Sequence, residues 1–141
     1  MTVADLSAVR TIRFEQHGRD GVLSVYAGED PAGLPFAIAR VFTLTGVAAG
    51  GARGNHAHRD CTQLLVALAG KARLSVDDGA DTRRFDLHSP AEGVLVPPGL
   101  WIRVEFAGPD ALVAVFCDRP FDEADYIRDR EEFLAIRRRR V

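Results

Sequence analysis

The sequence predicts an all-β protein whose short antiparallel strands close into a barrel or a sandwich. Glycine and proline interrupt short apolar runs at regular intervals along the chain, which is the pattern of such folds. Turn signals stand between the runs, for example Gly50-Gly51, Asp77-Asp78-Gly79 and Pro97-Pro98-Gly99, because these residues favour tight turns. Residues 94–96 and 112–116 are apolar without interruption, which indicates central strands.

Each apolar run between two turn signals is a candidate strand. Runs that alternate between apolar and polar residues are expected to turn one face toward the core and the other toward water. The candidate strands are residues 22–27, 38–45, 54–58, 63–69, 71–77, 82–87, 93–96, 102–106 and 112–116. We therefore expect a single domain over residues 1–141, with the barrel at 22–117.

The C-terminal part differs in composition from the rest of the chain. It is rich in charged residues and helix formers, with Tyr126, Ile127, Phe133 and Leu134 as its apolar positions. This pattern predicts a short helical or irregular cap at residues 121–136, lying against the barrel. The arginines at 137–140 predict a solvated chain end.

Composition excludes several classes of function. Among the 141 residues the 20 acidic side chains outnumber the 18 basic ones, and the net charge is −2. These values disfavour binding to nucleic acid or to a membrane surface. No run approaches the about 20 apolar residues of a membrane span, and the N-terminus lacks the apolar stretch of a signal peptide. We therefore expect a cytoplasmic protein, in which Cys61 and Cys117 are buried free thiols.

His56 and His58 are the strongest functional signal in the sequence. Residues two apart in a strand point to the same face, so the two imidazoles should project together from the predicted strand at 54–58. Only Ala57 separates them, and each ring brings two nitrogens that need partners inside a protein. Such a pair is harder to explain by packing than a single inward histidine, which favours a functional role.

The spacing around the pair resembles the first motif of the cupin barrels, also called jelly rolls or double-stranded β-helices. In that motif a glycine precedes His-x-His by five residues, and a glutamate and a second glycine follow. The matching residues here are Gly50, His56, His58, Gln63 and Gly70. The second cupin motif resembles Pro97-Pro98-Gly99-Leu100-Trp101-Ile102. The resemblance implies an all-β cupin barrel.

In cupins that bind a metal, the ligands are both motif histidines, the glutamate and a histidine of the second motif. This chain has the neutral amide of Gln63 in place of the carboxylate, and Ile102 in place of the last histidine. Two imidazoles and an amide make a weak site, because first-row metals require three or four strong donors. We therefore predict no metal at these positions, which leaves His56 and His58 as acid–base groups.

Longer stretches resemble a particular group of cupins, the sugar 3,4-ketoisomerases. These stretches are Leu34-Pro35-Phe36, Arg53-Gly54-Asn55-His56-Ala57-His58 and Phe121-Asp122-Glu123-Ala124-Asp125-Tyr126-Ile127-Arg128-Asp129. The likeness covers residues 22–134. It implies an enzyme that moves the carbonyl of a dTDP-linked 4-keto-6-deoxyhexose from C4 to C3 through an enediol, in deoxysugar or aminosugar biosynthesis. It also implies a homodimer and no cofactor, since the reaction changes no redox state.

The resemblance assigns roles to individual residues. His56 and His58 would carry the protons, since an imidazole titrates near neutral pH. Arg53 would bind the diphosphate, and Gln63 would hydrogen-bond a sugar hydroxyl or an imidazole. Trp101 would stack on the base or the sugar. Arg40 is the remaining residue that the resemblance assigns to substrate binding.

The chain departs from that group at several positions. Phe42 and Thr43 stand where members usually have a tyrosine, Ile102 replaces a histidine, and Ala39 replaces a lysine. Three alternatives therefore stay open: an epimerase of the same sugars, a non-catalytic module that binds nucleotide sugars, and a metal-dependent cupin oxygenase.

Overall fold

The computed structural model describes residues 4–139 and contains two five-stranded antiparallel sheets. One sheet has the strand order β1-β9-β6-β11-β4, the other has the order β12-β5-β10-β7-β8, and β2 and β3 form a separate hairpin. The strands are β1 (Arg10–Arg13), β2 (Glu15–Gly18), β3 (Val22–Val25), β4 (Arg40–Thr45), β5 (Ala52–His58), β6 (Gln63–Ala69), β7 (Ala72–Asp77), β8 (Thr82–Leu87), β9 (Glu92–Val96), β10 (Trp101–Phe106), β11 (Leu112–Cys117) and β12 (Tyr126–Ile127). The prediction of an all-β fold is confirmed.

The core lies between the two large sheets. Leu65 and Val115 from one sheet and Val76 and Val104 from the other belong to one buried cluster, each at most 2% exposed. Alternate residues of these strands face outward, as the pleat requires. Burial of this apolar surface is the main force that holds the sheets together, and it fixes which side chains point into the barrel.

The barrel begins earlier in the chain than residue 22. Strand β1 pairs with β9, although its sequence Arg-Thr-Ile-Arg has Ile12 as its one buried residue. Because charged residues flank the apolar position of this edge strand, the strand contains no apolar run that would predict it. The predicted strand at 22–27 is shorter and lies outside both large sheets, because β3 pairs with β2 and Val22 is 68% exposed.

The C-terminal segment is partly strand and partly helix. Residues Tyr126–Ile127 add strand β12 to the edge of β5, and helix α1 follows at Arg130–Arg138. The Asp129 carboxylate caps the helix by accepting from the Glu131 N–H, which satisfies one free donor of the first turn. Phe133 of α1 is fully buried in a cluster with Ala57, Trp101 and Ile127. The predicted cap therefore packs on the outer face of β10 and of β5, the strand that carries both histidines.

At the C-terminal end the structure corrects one prediction, and at both ends a few residues lie outside the described part. Arg137 is not simply solvated, because its guanidinium donates to the carbonyl oxygens of Ala4 and Gly99 at 2.8 and 3.2 Å. Residues 1–3 and 140–141 lie outside the described part, so the predictions for the first residues and for Arg140 stay predictions. Within residues 4–139 no helix combines the length and the apolar character needed to cross a bilayer.

Candidate active site

A bulge in β5 sets which side chains face the barrel interior. His56 pairs with Ile102 and Arg53 pairs with Val104, and the register shifts between these two pairs. Gly54 and Asn55 sit at the shift with φ of 98° and 59°, in the left-handed region that glycine and asparagine tolerate best. In a regular strand Arg53 and His56 would face opposite sides. The extra residue brings both to the inner face.

The inner face opens into a cavity of about 240 Å³. Its polar lining comes from Arg53, His56, Gln63 and Arg128. Its apolar lining consists of Phe42, Leu44, Leu65, Ile102, Val104 and Val115. The volume is below the range of about 300–1,000 Å³ typical of pockets for drug-sized ligands. The cavity therefore suits one ring of a ligand whose remainder lies outside.

His58 is held by a carboxylate from the C-terminal segment. Its Nδ1 lies 2.7 Å from Asp125 Oδ2, and the two side chains are 4% and 8% exposed. The other oxygen of Asp125 accepts from the Asp60 N–H at 2.6 Å. Because an ionised carboxylate only accepts hydrogen bonds, it holds the proton on Nδ1 and leaves the lone pair on Nε2. Within residues 4–139 that Nε2 is buried and meets no hydrogen-bond partner.

Electrostatics keep both imidazoles neutral at neutral pH. Burial lowers the pKa of His58 below its usual 6.5, although the hydrogen bond to Asp125 opposes the shift. Burial and the neighbouring His58 lower the pKa of His56 to about 4. Burial disfavours the Asp125 carboxylate, but the hydrogen bonds from His58 and from the Asp60 N–H outweigh it and lower its pKa. The site therefore holds an ionised Asp125 beside a neutral His58, which is the arrangement of an oriented general base.

Tyr126 brings a phenol to the two histidines. Its ring centroid lies 4.4 Å from that of His58 and 5.0 Å from that of His56. The backbone pairing of Tyr126 with His58 fixes this position. The Arg128 guanidinium lies over the phenol ring, 4.3 Å from its centroid. Burial raises the pKa of Tyr126, so the hydroxyl stays protonated and can donate a proton or a hydrogen bond.

Two of the predicted binding residues, Arg53 and Gln63, line the cavity. Arg40 does not line it: its guanidinium donates to Cys117 Sγ at 3.4 Å and lies 5.6 Å from the centre of the Phe121 ring. The prediction that Cys61 and Cys117 are buried free thiols agrees with the structure.

The structure places Trp101 away from this cavity, so its stacking on the base or the sugar stays a prediction. Its neighbour Ile102 points into the barrel, so Trp101 points out. There its ring packs against Phe133 with centroids 5.4 Å apart, and the Arg130 guanidinium lies 5.2 Å from its centre. Trp101 is a packing residue under helix α1.

Sequence reasoning missed Asp125, Tyr126 and Arg128 as site residues. The stretch at residues 121–129 contains all three, but its composition by itself predicts only a cap against the barrel. Asp125 is 67 positions from its partner His58. The signal that could have found it is chemical, because a buried histidine that acts as a base needs an acceptor for its second ring nitrogen.

The structure is a barrel of two antiparallel sheets in which His56 lines an internal cavity and the His58–Asp125 pair lies next to it, with the two imidazole centroids 4.9 Å apart. These features define a cupin-type acid–base site. The chain matches the protein family described as FdtA: WxcM-like, C-terminal, over residues 5–138. It belongs to this family. The family resemblance that residues 53–58 and 121–129 indicate is confirmed.

Relatives and solved structures agree with this assignment. The chain is 36% identical over 110 residues to the TDP-4-oxo-6-deoxy-alpha-D-glucose-3,4-oxoisomerase of Aneurinibacillus thermoaerophilus. The aligned region covers 78% of this chain and 79% of that protein. It superposes on QdtA, a sugar 3,4-ketoisomerase from Thermoanaerobacterium thermosaccharolyticum solved with TDP, with a TM-score of 0.90 at 26% identity, covering 96% of this chain and 98% of that one. A histidine-to-asparagine variant of QdtA, solved with TDP-4-keto-6-deoxyglucose, gives a TM-score of 0.90 at 25% identity with the same coverage.

Proposed function

We propose that this protein is a sugar 3,4-ketoisomerase that moves the carbonyl of a TDP-linked 4-keto-6-deoxyhexose from C4 to C3. The observation that carries the proposal is the buried His58–Asp125 pair beside the phenol of Tyr126. The similar proteins named above act on or bind TDP-linked sugars of this kind, which supports the substrate class.

The first step is removal of the proton from C3 by Nε2 of His58. Asp125 keeps the ring in the tautomer whose lone pair is on Nε2, and it stabilises the imidazolium that forms. The electron pair of the C3–H bond becomes the C3–C4 double bond, and the C4 carbonyl oxygen takes a proton from Tyr126. The intermediate is an enediol, and no electron leaves the sugar.

The second step runs the same transfers in the opposite sense at the neighbouring carbon. The imidazolium of His58, whose acidic N–H exchanges with solvent during the lifetime of the enediol, gives a proton to C4, and the O3 hydroxyl gives its proton to Tyr126 as the C3 carbonyl forms. Product and substrate are isomers, so no oxidant or reductant enters the balance. His56 lines the cavity and stays neutral, which suits it to hold a sugar hydroxyl by a hydrogen bond.

Binding of the nucleotide part falls to the arginines at the cavity. Arg53 and Arg128 are exposed side chains that also line it, and charge-assisted hydrogen bonds from guanidinium groups suit a diphosphate. Gln63 is 2% exposed and lines the cavity, where its amide suits a sugar hydroxyl.

Three further parts of the proposal are its setting in deoxysugar or aminosugar biosynthesis, a homodimeric state and a cytoplasmic location. Light scattering on the purified protein tests the dimer, since a monomer mass would reject it.

The test is incubation of the pure protein with TDP-4-keto-6-deoxyglucose in D₂O, followed by NMR. We expect a 3-keto product that carries deuterium at C4. Absence of exchange and of a new keto product would reject the proposal. Exchange at C3 or C5 without movement of the carbonyl would indicate an epimerase, and binding of TDP without turnover would indicate a non-catalytic module.

A further inference from the structure

We propose that His58, Cys61 and Asp125 form a binding site for a soft divalent cation such as Zn²⁺, and that the bound ion inhibits proton transfer at His58. One donor atom from each side chain lies within 4.8 Å of the other two. All three residues are buried, with Cys61 2% exposed. Binding of the ion stands on this geometry alone, whereas its effect on catalysis rests on the proposed function.

The donor set fits zinc by type. Zinc in proteins takes imidazole nitrogen, thiolate sulfur and carboxylate oxygen in a tetrahedral arrangement. The three donors come from the end of β5, from the turn that follows it and from the C-terminal segment. His58 is the one donor that is also a cupin motif position, whereas Cys61 and Asp125 lie outside both motifs. Among residues 4–139 they are the one such group of three, which predicts a single ion per chain.

Protons and charge balance when the ion binds. The Cys61 thiol loses its proton to solvent and becomes a thiolate, and Asp125 is already ionised. Two negative charges then neutralise Zn²⁺, while His58 coordinates as a neutral ring.

Coordination at either ring nitrogen removes the base. If Nδ1 of His58 binds the ion, the ring proton moves to Nε2 and the lone pair used at C3 is lost. If Nε2 binds the ion, the same lone pair is donated to the metal and cannot accept the C3 proton. The inhibition therefore does not depend on which nitrogen coordinates.

The neighbouring charges make this site reversible. The Arg40 guanidinium and the Gln63 amide both donate to Cys117 Sγ, at 3.4 and 3.5 Å. Cys117 also hydrogen-bonds the Cys61 thiol, but it stands outside the group of three ligands. The positive charge of Arg40 repels a metal ion bound nearby and so weakens its binding. We expect the ion to be removed by a chelator rather than held permanently.

Cobalt provides the binding test, because Co²⁺ bound by a thiolate absorbs in the near ultraviolet through charge transfer. With reductant present, the wild-type protein should show this band and saturate at one Co²⁺ per chain. Cys61→Ser and Cys61→Ala should lose the band, and the matched control Cys117→Ser should keep it. A wild-type protein without the band, or a Cys61 variant that retains it, would overturn the site.

Enzyme kinetics provide the second arm. Zn²⁺ should inhibit the wild-type isomerase, and EDTA should restore its rate. Cys61→Ser should keep the basal rate, and its half-inhibitory Zn²⁺ concentration should rise about tenfold or more. Equal inhibition of both proteins would overturn the inhibitory role. If no isomerase activity exists at all, the proposed function fails while the cobalt band still decides the site.

Discussion

Strand β5 and the segment 121–128 contribute to the same site in different ways. β5 supplies the two histidines, and its spacing alone indicates them. The later segment supplies Asp125 and Tyr126, which act on His58 by a hydrogen bond of 2.7 Å and by ring contact at 4.4 Å. In the proposed mechanism the barrel strand provides the histidine that carries the proton, whereas the C-terminal segment provides the carboxylate that makes this histidine a base.

The segment is held in place mainly by apolar burial. Ile127 and Phe133 are fully buried against Ala57, and the Arg59 N–H donates to the Asp125 carbonyl oxygen at 2.8 Å. The Arg130–Asp77 ion pair at 2.7 Å is partly exposed, and such pairs contribute about 0–1 kcal/mol. The position of Asp125 therefore depends on packing that surrounds the site rather than on surface charge.

The largest expected effect separates the two histidines. His58→Asn should lower kcat about 1,000-fold, because it removes the general base. His56→Asn should lower kcat about tenfold, because this variant loses only a hydrogen bond to the substrate. Rates of 3-keto product formation measured by NMR check both values. Equal losses in the two variants would contradict the distinct roles assigned to them.

Tyr126→Phe tests the phenol of the C-terminal segment. The variant keeps the ring against both histidines and removes the hydroxyl, so kcat should fall about 10- to 100-fold. The thermal midpoint should stay the same, since the half-buried ring still packs. A rate unchanged from the wild type would show that another group protonates the sugar oxygen.

Arg53→Ala tests the bulge of β5. Loss of a charge-assisted hydrogen bond to the diphosphate should raise KM about tenfold with little change in kcat. Arg103→Ala is the matched control, because Arg103 lies at the same bulge but pairs with Glu105. A similar rise in KM for both variants would indicate a general charge effect.

Trp101→Ala has the smallest expected effect on catalysis. It should lower the free energy of unfolding by about 3–5 kcal/mol, because it leaves a cavity against Phe133. Measured at low temperature, its KM should equal that of the wild type. Denaturant unfolding checks the free energy, and steady-state kinetics check the KM. A raised KM would show that Trp101 stacks on the ligand.

Much of the fold follows from the sequence, and the exceptions have identifiable causes. Strands β4–β11 lie close to their predicted positions because apolar runs and turn residues mark them. Strand β1 is missed because arginines flank its one buried residue, Ile12. The bulge at Gly54-Asn55 is missed because a strand pattern does not reveal an extra residue, and so the place of Arg53 came from resemblance alone.

The candidate site was predictable only in part for a similar reason. His56 and His58 are neighbours in sequence and therefore visible together. Asp125 meets His58 only after the chain has formed six further strands and the turn that follows them. The place of Trp101 beside the Pro97-Pro98-Gly99 turn indicates contact with a ligand, and its packing partner Phe133 lies far along the chain, in a helix on the outside of the barrel.

The central claim, that Asp125 makes His58 the base, is tested most directly by deuterium exchange at C3 in Asp125→Asn. The amide can still accept from the Asp60 N–H, so the thermal midpoint should stay close to the wild-type value. Its NH₂ group cannot accept from Nδ1, so the ring should adopt the tautomer with its proton on Nε2. We predict an exchange rate about 100-fold or more below wild type, and an exchange rate equal to that of the wild type would contradict the account.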